Sequence, residues 1–282
     1  SFPTRRSSDL SINPFAVAGV SLPAGFLQGF LVVMALAVLI GTLFDIIHKG
    51  SASYFFTNMR TSRAKGRKLG GGELVSIAVQ TAVVDVLASG EFCNPKRRVA
   101  HLLGMYGFLL YLVATAVMVF RYPTGATATP EIWPMLWWIG ALMVLVGGYW
   151  FWFFIRVDVT SEGHSPFRLA KADLFVLSLL VSVTLAVAWA AMGAGVGVLF
   201  WLYILATIVL FVGVPWSKFA HMFFKPAAAF EKRVSKADGT AENLPTQTRD
   251  DPEQRKRHSM ELLQDAPMDM GLGINREAPR HY

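Results

Sequence analysis

Two histidines of this chain lie where basic sequence meets apolar sequence. His101 follows the basic run Lys96–Arg98 and begins an apolar stretch that continues to Phe120, and His221 ends another apolar stretch in "PWSKFAHMFFK". If the two stretches cross a membrane in opposite directions, both imidazoles lie at similar depth on different helices. Two neutral imidazoles facing each other across one iron are the axial ligands of a b-type haem. The spacing therefore predicts a haem iron bound by this pair, and a competing interpretation places both side chains at lipid headgroup level.

Neighbouring residues fit the haem hypothesis. Small residues follow His101 at i+3 and i+6, which would let a flat macrocycle approach the helix, and cations on the same side could bind haem propionates. The small residues are Gly104 and Gly107, and the cations are Lys96, Arg97, Arg98 and Lys218. His48 ends another apolar stretch and is an alternative ligand, for which interfacial anchoring is the competing interpretation.

The composition indicates a membrane protein. Of 282 residues 54% are hydrophobic and 16% are charged, with a mean hydropathy of +0.44, whereas soluble domains carry about 25% charged residues. Crossing about 30 Å of hydrocarbon takes roughly 20 apolar residues as a helix. Because no alternating strand pattern competes, we predict an all-α integral membrane protein with five transmembrane helices: Phe26–Ile47, Val99–Phe120, Ile132–Ile155, Asp173–Met192 and Val198–Pro215.

Basic residues predict the orientation of these spans. Lys49–Arg98 carries nine Lys/Arg, Arg156–Lys171 three, and the chain from Lys218 onward eleven. The intervening segments carry none, apart from Arg121 at the end of the second span. By the positive-inside rule the N-terminus lies outside and the C-terminus is cytoplasmic, in the inner (cytoplasmic) membrane as a multi-pass protein. The net charge of +7 is therefore assigned to this face, and no nucleic-acid partner is expected.

The remaining segments divide as follows. Residues 1–10 can be encoded by a common sequencing-library adapter and are treated as an assembly artefact. Residues 11–25 form an outer segment, 26–225 the five-helix domain with a cytoplasmic basic loop at 49–98, and 226–282 a largely disordered cytoplasmic tail. Within the loop, Gly70–Phe92 is predicted to be an interfacial or re-entrant helix. Residues 270–282 regain apolar character, so a docking peptide and an unstructured end are both open.

The single cysteine, Cys93, excludes an iron–sulfur cluster held by this chain alone, because such clusters normally need about four thiolates. No phosphate-binding glycine loop is present, since "GRKLGGGELV" does not match the P-loop spacing. The chain itself is therefore not expected to activate a nucleotide, and any clusters would belong to a partner.

The motifs "RRVAHLLGMYGF" and "PWSKFAHMFFK" resemble the gamma subunit of respiratory nitrate reductase and the cytochrome b-like membrane subunits of heterodisulfide reductase. A closer resemblance covers nearly the whole chain. "GTLFDIIHKGSASYFF", "GGYWFWFFIRVDV" and the ending "MGLGINREAPRHY" look like the membrane anchor of dissimilatory adenylylsulfate (APS) reductase.

The resemblance implies a cytoplasmic flavin and iron–sulfur adenylylsulfate reductase as partner, with electrons passing to membrane quinone through one haem b. The nitrate reductase subunit carries a second histidine pair, and at those positions this chain has Tyr111 and Tyr203. One haem at most is therefore expected. The alternatives are a cofactor-free structural anchor and a quinone-linked cytochrome b subunit of another reductase complex. A transporter is less favoured because the span centres carry no charged groups.

Overall fold

A computed structural model describes residues 10–49, 51–90, 95–156, 165–170, 173–216 and 225–241, and the regular structure in these ranges is entirely helical. The helices are α1 (Pro14–Gly19), α2 (Phe26–Lys49), α3 (Ser51–Lys65), α4 (Gly71–Gln80), α5 (Pro95–Arg121), α6 (Ile132–Trp150), α7 (Leu174–Ala191), α8 (Val198–Gly213) and α9 (Lys225–Ala237). The backbone continues in π-helical form after α4 (Thr81–Leu87) and after α6 (Phe151–Ile155), and α8 passes into a 3₁₀ turn, Val214–Trp216.

Four helices are long and apolar enough to cross a membrane: Phe26–His48, Pro95–Arg121, Ile132–Ile155 and Leu174–Ala191. The fifth stretch predicted from the sequence forms α8, which is apolar but shorter. Its α-helical part ends at Gly213, two residues before Pro215, whose ring cannot be accommodated in a continuing helix. Four candidate spans are thus confirmed, while the fifth span and the direction of the chain stay predictions.

The chain divides into two compact units. The first unit comprises Ser1–Leu43, Val99–Phe151 and Ala170–Phe219, and the second unit comprises Phe44–Arg98, Trp152–Leu169 and Ala220–Tyr282. The first unit contains most of the apolar helical sequence. The second contains most of the basic sequence.

In the first unit, glycines allow α5 and α6 to approach closely. A Cβ added at Gly107 would lie 2.8 Å from the carbonyl oxygen of Gly140, and one added at Gly147 would lie 2.8 Å from that of Ala100. Small residues at such crossings are the usual means of packing helices in lipid, because association there depends on close van der Waals contact. α7 packs on α6 and most extensively on α8.

The short helix α1 belongs to this core and was not predicted from the sequence. Asn13 caps it by accepting hydrogen bonds from the backbone N–H groups of Phe15 and Ala16, and its amide donates to the carbonyl of Tyr122 and to Thr129 Oγ1, both at 3.0 Å. The segment before α2 and the loop between α5 and α6 therefore contact each other. From the sequence, both segments are predicted to lie on the same side of the membrane.

The second unit contains α3, α4 with its π-helical extension, and α9. α4 and its extension pack on α9. A helix within Gly70–Phe92 was predicted, whereas α3 and α9 were not, because their sequences are polar overall.

Candidate functional site

The predicted ligand His101 lies on α5 and its side chain is exposed. Gly104 is one turn further along, and a Cβ added there would meet no atom within 4 Å. α5 therefore has open space one turn beyond His101. The other small residue, Gly107, is buried and packs on α6, so its small size is used by a helix crossing.

Two of the predicted propionate-binding cations have protein partners. Arg97 donates to the carbonyl oxygen of Ile155 at 3.3 Å, and Arg98 donates through Nε to that of Ala88 at 2.8 Å. Both acceptors lie at the C-terminal end of a π-helical segment, where carbonyl groups lack intrahelical partners and cations are favoured. These arginines therefore tie the ends of two helical segments to the start of α5.

The third histidine candidate, His48, is exposed near the end of α2 and stacks on Phe44, with ring centroids 5.5 Å apart. His221 and Lys218 lie outside the described residues, and so does the rest of the predicted tail beyond residue 241. The pairing of His101 with His221 stays a prediction.

A buried tyrosine pair occupies the interior of the first unit. Tyr111 Oη on α5 and Tyr203 Oη on α8 are 3.1 Å apart and hydrogen-bonded. Trp137 lies against Tyr111 at a centroid distance of 5.4 Å, and Trp189 stacks on Tyr203 at 5.6 Å. These are the two positions at which the resemblance to the nitrate reductase subunit places a second histidine pair.

A small, largely apolar cavity lies beside this pair, and a few hydroxyl-bearing side chains are at its wall. Thr207 Oγ1 on α8 lies 2.9 Å from Ser182 Oγ on α7, and Thr115 Oγ1 donates to the Tyr111 carbonyl at 2.7 Å. These side chains and the two tyrosines line the cavity together with Phe and Leu residues, and its volume is about 30 Å³. That is on the scale of water molecules and far below the size of a macrocycle.

An ion pair joins the two main helical segments of the second unit. Arg233 on α9 binds Asp85 in bidentate fashion, with Nε–Oδ2 at 2.7 Å and Nη2–Oδ1 at 2.9 Å. The hydrogen bonds from Arg233 are the main cause that lowers the pKa of Asp85 below its usual value. Bidentate geometry of this kind is the strongest form of an arginine–carboxylate ion pair.

Further charges tie the segment after α3 to the end of α9. Arg67 donates to both carboxylate oxygens of Glu73, at 3.2 and 2.6 Å, and to the carbonyl of Ala237. Arg63 pairs with Glu231 at 3.3 Å, yet burial raises the pKa of Glu231. Asp238 accepts from Thr240, and its backbone carbonyl accepts from Arg67 N–H at 3.0 Å.

The Asp85–Arg233 pair was not predicted from the sequence. A signal was available, since Asp85 is the one ionisable residue in the apolar run Leu74–Leu87 and a carboxylate there needs a partner. Within the described ranges, no three His, Cys, Asp or Glu side chains come together as a metal site.

The described fold and site are those of a helical protein with several helices able to span a membrane, a buried tyrosine pair and a charged second unit. The sequence profile of the family described as CitB, citrate utilization protein B, matches residues 66–242, more than half of the chain. The chain therefore belongs to the citrate utilization protein B family. Searches of curated proteins and of solved structures gave no match.

Residues close to the two ends of the matched region contact each other within the second unit. A Cβ added at Gly66 would lie 2.6 Å from Asp238 Cγ, and Arg67 binds the C-terminal end of α9. The segment at the start of the matched region is thus in contact with the end of α9. His101, Tyr111 and Tyr203 all lie inside the matched region.

Proposed function

We propose that this chain is a multi-pass membrane subunit that anchors a cytoplasmic reductase and passes its electrons to quinone through one b-type haem. The observation that carries the proposal is His101, an exposed imidazole near the start of a helix long enough to span a membrane, with open space beside Gly104. By resemblance, the partner is an adenylylsulfate reductase with flavin and iron–sulfur clusters.

The residues at this position are chemically suited to a haem. An imidazole is the usual protein ligand of b-type haem iron, and Gly104, one turn further along α5, borders open space. His221 would supply the second ligand, and Lys96, Arg97, Arg98 and Lys218 would provide positive charge near the propionates. When bound, the haem supplies one-electron transfer between a partner cluster and quinone.

The chain's own residues would orient and limit this chemistry. His101 and His221 would hold the iron, and the Tyr111–Tyr203 pair occupies the positions at which the resemblance places a second histidine pair. Electrons would therefore reach quinone near the cytoplasmic face. The partner joins sulfite to AMP and releases two electrons, and quinone takes up these electrons together with two protons.

A second candidate keeps the same membrane role with a different soluble partner. The family description refers to citrate utilization, and this favours a dehydrogenase or reductase acting on a carboxylic acid as the source of electrons. Both candidate functions include the haem and quinone, and they differ only in the soluble partner.

The experiment is a reconstitution in liposomes that contain quinone and purified full-length chain. Soluble adenylylsulfate reductase, sulfite and AMP are added, and quinol formation is followed by absorbance. Quinol formation that requires the chain and is lost in His101→Ala supports the proposal. Quinol formation equal in His101→Ala and wild type would contradict the role of the haem. Quinol formation that occurs only when a soluble carboxylic-acid dehydrogenase and its substrate replace adenylylsulfate reductase would select the second candidate.

A further inference from the structure

The helix after α3 carries an apolar surface that no described part of the chain covers. Along Gly71–Leu87, Val75, Val79, Val83 and Leu87 recur at four-residue spacing, and they are 63%, 57%, 51% and 51% exposed. Ala78, Ala82 and Val86 widen this face. We call the seven residues the valine face.

The opposite side of the same helix contacts α9. Ile77 and Thr81 are buried, and Asp85 points to Arg233 with only 13% of its side chain exposed. Asp85 is the sole ionisable residue between Leu74 and Leu87, and its charge is balanced by the bidentate arginine. The valine face itself therefore carries no charge.

We propose that the valine face of Gly71–Leu87 binds an anionic lipid bilayer, with this helix lying in the plane of the membrane–water interface. Such helices insert their apolar side by about 5–10 Å and keep charged groups on the other side. Contact between the valine face and lipid requires neither a haem nor a particular reductase.

Chain connectivity brings this segment to a membrane surface. Residues 50–94 link the end of α2 to the start of α5, and both helices are long and apolar enough to span. A transbilayer path for Gly71–Leu87 is disfavoured because its buried side packs on α9, whose Lys232, Arg233 and Lys236 would be costly to place in hydrocarbon. A position in the membrane–water interface exposes the valine face to lipid and leaves the cations of α9 in water.

The composition of the face distinguishes lipid from a protein partner. The centres of protein interfaces are enriched in aromatic residues, Met and Arg, and the valine face has none of these. Basic side chains of the same unit are complementary to anionic headgroups. They include the exposed Lys68, Lys232 and Lys236, and cations near such a surface are attracted to anionic headgroups.

The test is spin labelling of the full-length chain in lipid nanodiscs. Cys93 is replaced by Ser, and single cysteines are introduced as Val79→Cys, Val83→Cys or Val86→Cys and labelled with a nitroxide. Ala64→Cys, exposed on the polar helix α3, is the matched control. Collisions with oxygen, which partitions into lipid, are compared with collisions with a water-soluble nickel chelate.

We expect the oxygen-to-nickel accessibility ratio at Val79 and Val83 to exceed that at Ala64 several-fold. The ratio should rise further when phosphatidylglycerol replaces part of the phosphatidylcholine, and Lys232→Gln with Lys236→Gln should reduce this rise. A ratio equal to that of Ala64 would overturn the proposal. Labels shielded from both reagents would also overturn it, in favour of a protein or a second copy on this face.

Discussion

Tyr111 Oη and Tyr203 Oη form a hydrogen bond of 3.1 Å between α5 and α8 in the interior of the first unit. The resemblance to the nitrate reductase subunit places a histidine pair at these positions. Here the two phenols bind each other, and Trp137 and Trp189 pack against their rings. This relationship supports our proposal that the chain carries no second haem.

Removal of either phenol should weaken the helix bundle. Tyr111→Phe or Tyr203→Phe leaves the other hydroxyl buried with its partner gone, and interhelical hydrogen bonds of this type contribute about 0.6 kcal/mol on average in membrane proteins. The double variant should lose less than the sum of the single losses. Thermal denaturation in detergent, followed by Trp fluorescence, measures this coupling.

Tyr149→Phe is a suitable control for this comparison of the single and double tyrosine variants. Its hydroxyl pairs with Thr184 Oγ1 at 2.8 Å in an exposed position, so a smaller effect is expected. Strictly additive losses for the Tyr111 and Tyr203 variants would contradict an energetic role for the pair.

The glycines of α5 should differ sharply in their tolerance of a methyl group. Gly107→Ala would bring Cβ to 2.7 Å from Met143 Cβ and 2.8 Å from backbone atoms of α6, and such overpacking costs about 1–3 kcal/mol. Gly104→Ala meets open space and should leave the midpoint of thermal denaturation unchanged or slightly higher. Equal destabilisation by the two variants would contradict the described helix crossing.

A larger side chain at Gly104 separates packing from cofactor binding. Gly104→Leu should lower the haem content of the purified protein while its thermal stability stays near that of the wild type. Unchanged haem content would indicate that the macrocycle does not lie against this part of α5.

Acidification should loosen α9 from α4. The pKa of Asp85 is lowered in the folded state by Arg233, so its stabilising contribution is present above the ordinary value of 3.8 and is lost as the pH falls through the lower folded value. Amide hydrogen exchange of Lys225–Ala237, corrected for intrinsic rates, should therefore accelerate below about pH 4. Asp85→Asn should show fast exchange already at neutral pH.

Glu231 has the opposite effect on stability as the pH falls, so its contribution must be distinguished from that of Asp85. Burial raises its pKa, so protonation favours the folded state and its contribution grows as the pH falls. In Glu231→Gln, amide hydrogen exchange in α9 should therefore accelerate more strongly on acidification than in the wild type. If α9 in Glu231→Gln were insensitive to acid, the assignment of the effect to Asp85 would be wrong.

The apolar helices could be predicted from the sequence because their signal is local. Phe26–Ile47 and Ile132–Ile155 were predicted to within a few residues, since length and hydropathy alone define a membrane helix. The same rule gave α8, whose α-helical part ends at Gly213 rather than at Pro215. Predicting that end required weighing the effect of proline on the preceding turn.

Contacts between distant segments could not be predicted in this way. α9 is polar, and its position depends on Arg233 meeting Asp85, 148 residues away in sequence. Gly107 was predicted as a haem contact because a glycine on a helix leaves open space, but that space is filled by α6. Only the three-dimensional arrangement separates Gly104 from Gly107, which are otherwise equivalent in the sequence.

Our proposal that His101 and His221 bind one haem can be tested with a dithionite-reduced minus oxidised absorption spectrum and pyridine haemochrome quantification. Full-length protein purified from haem-replete cells should show a b-type α-band at one haem per chain. His101→Ala and His221→Ala should each abolish the band, and His48→Ala should retain it. Folded protein without the band would contradict haem binding, and a loss of the band in His48→Ala would contradict the assignment of His101 and His221 as the ligands.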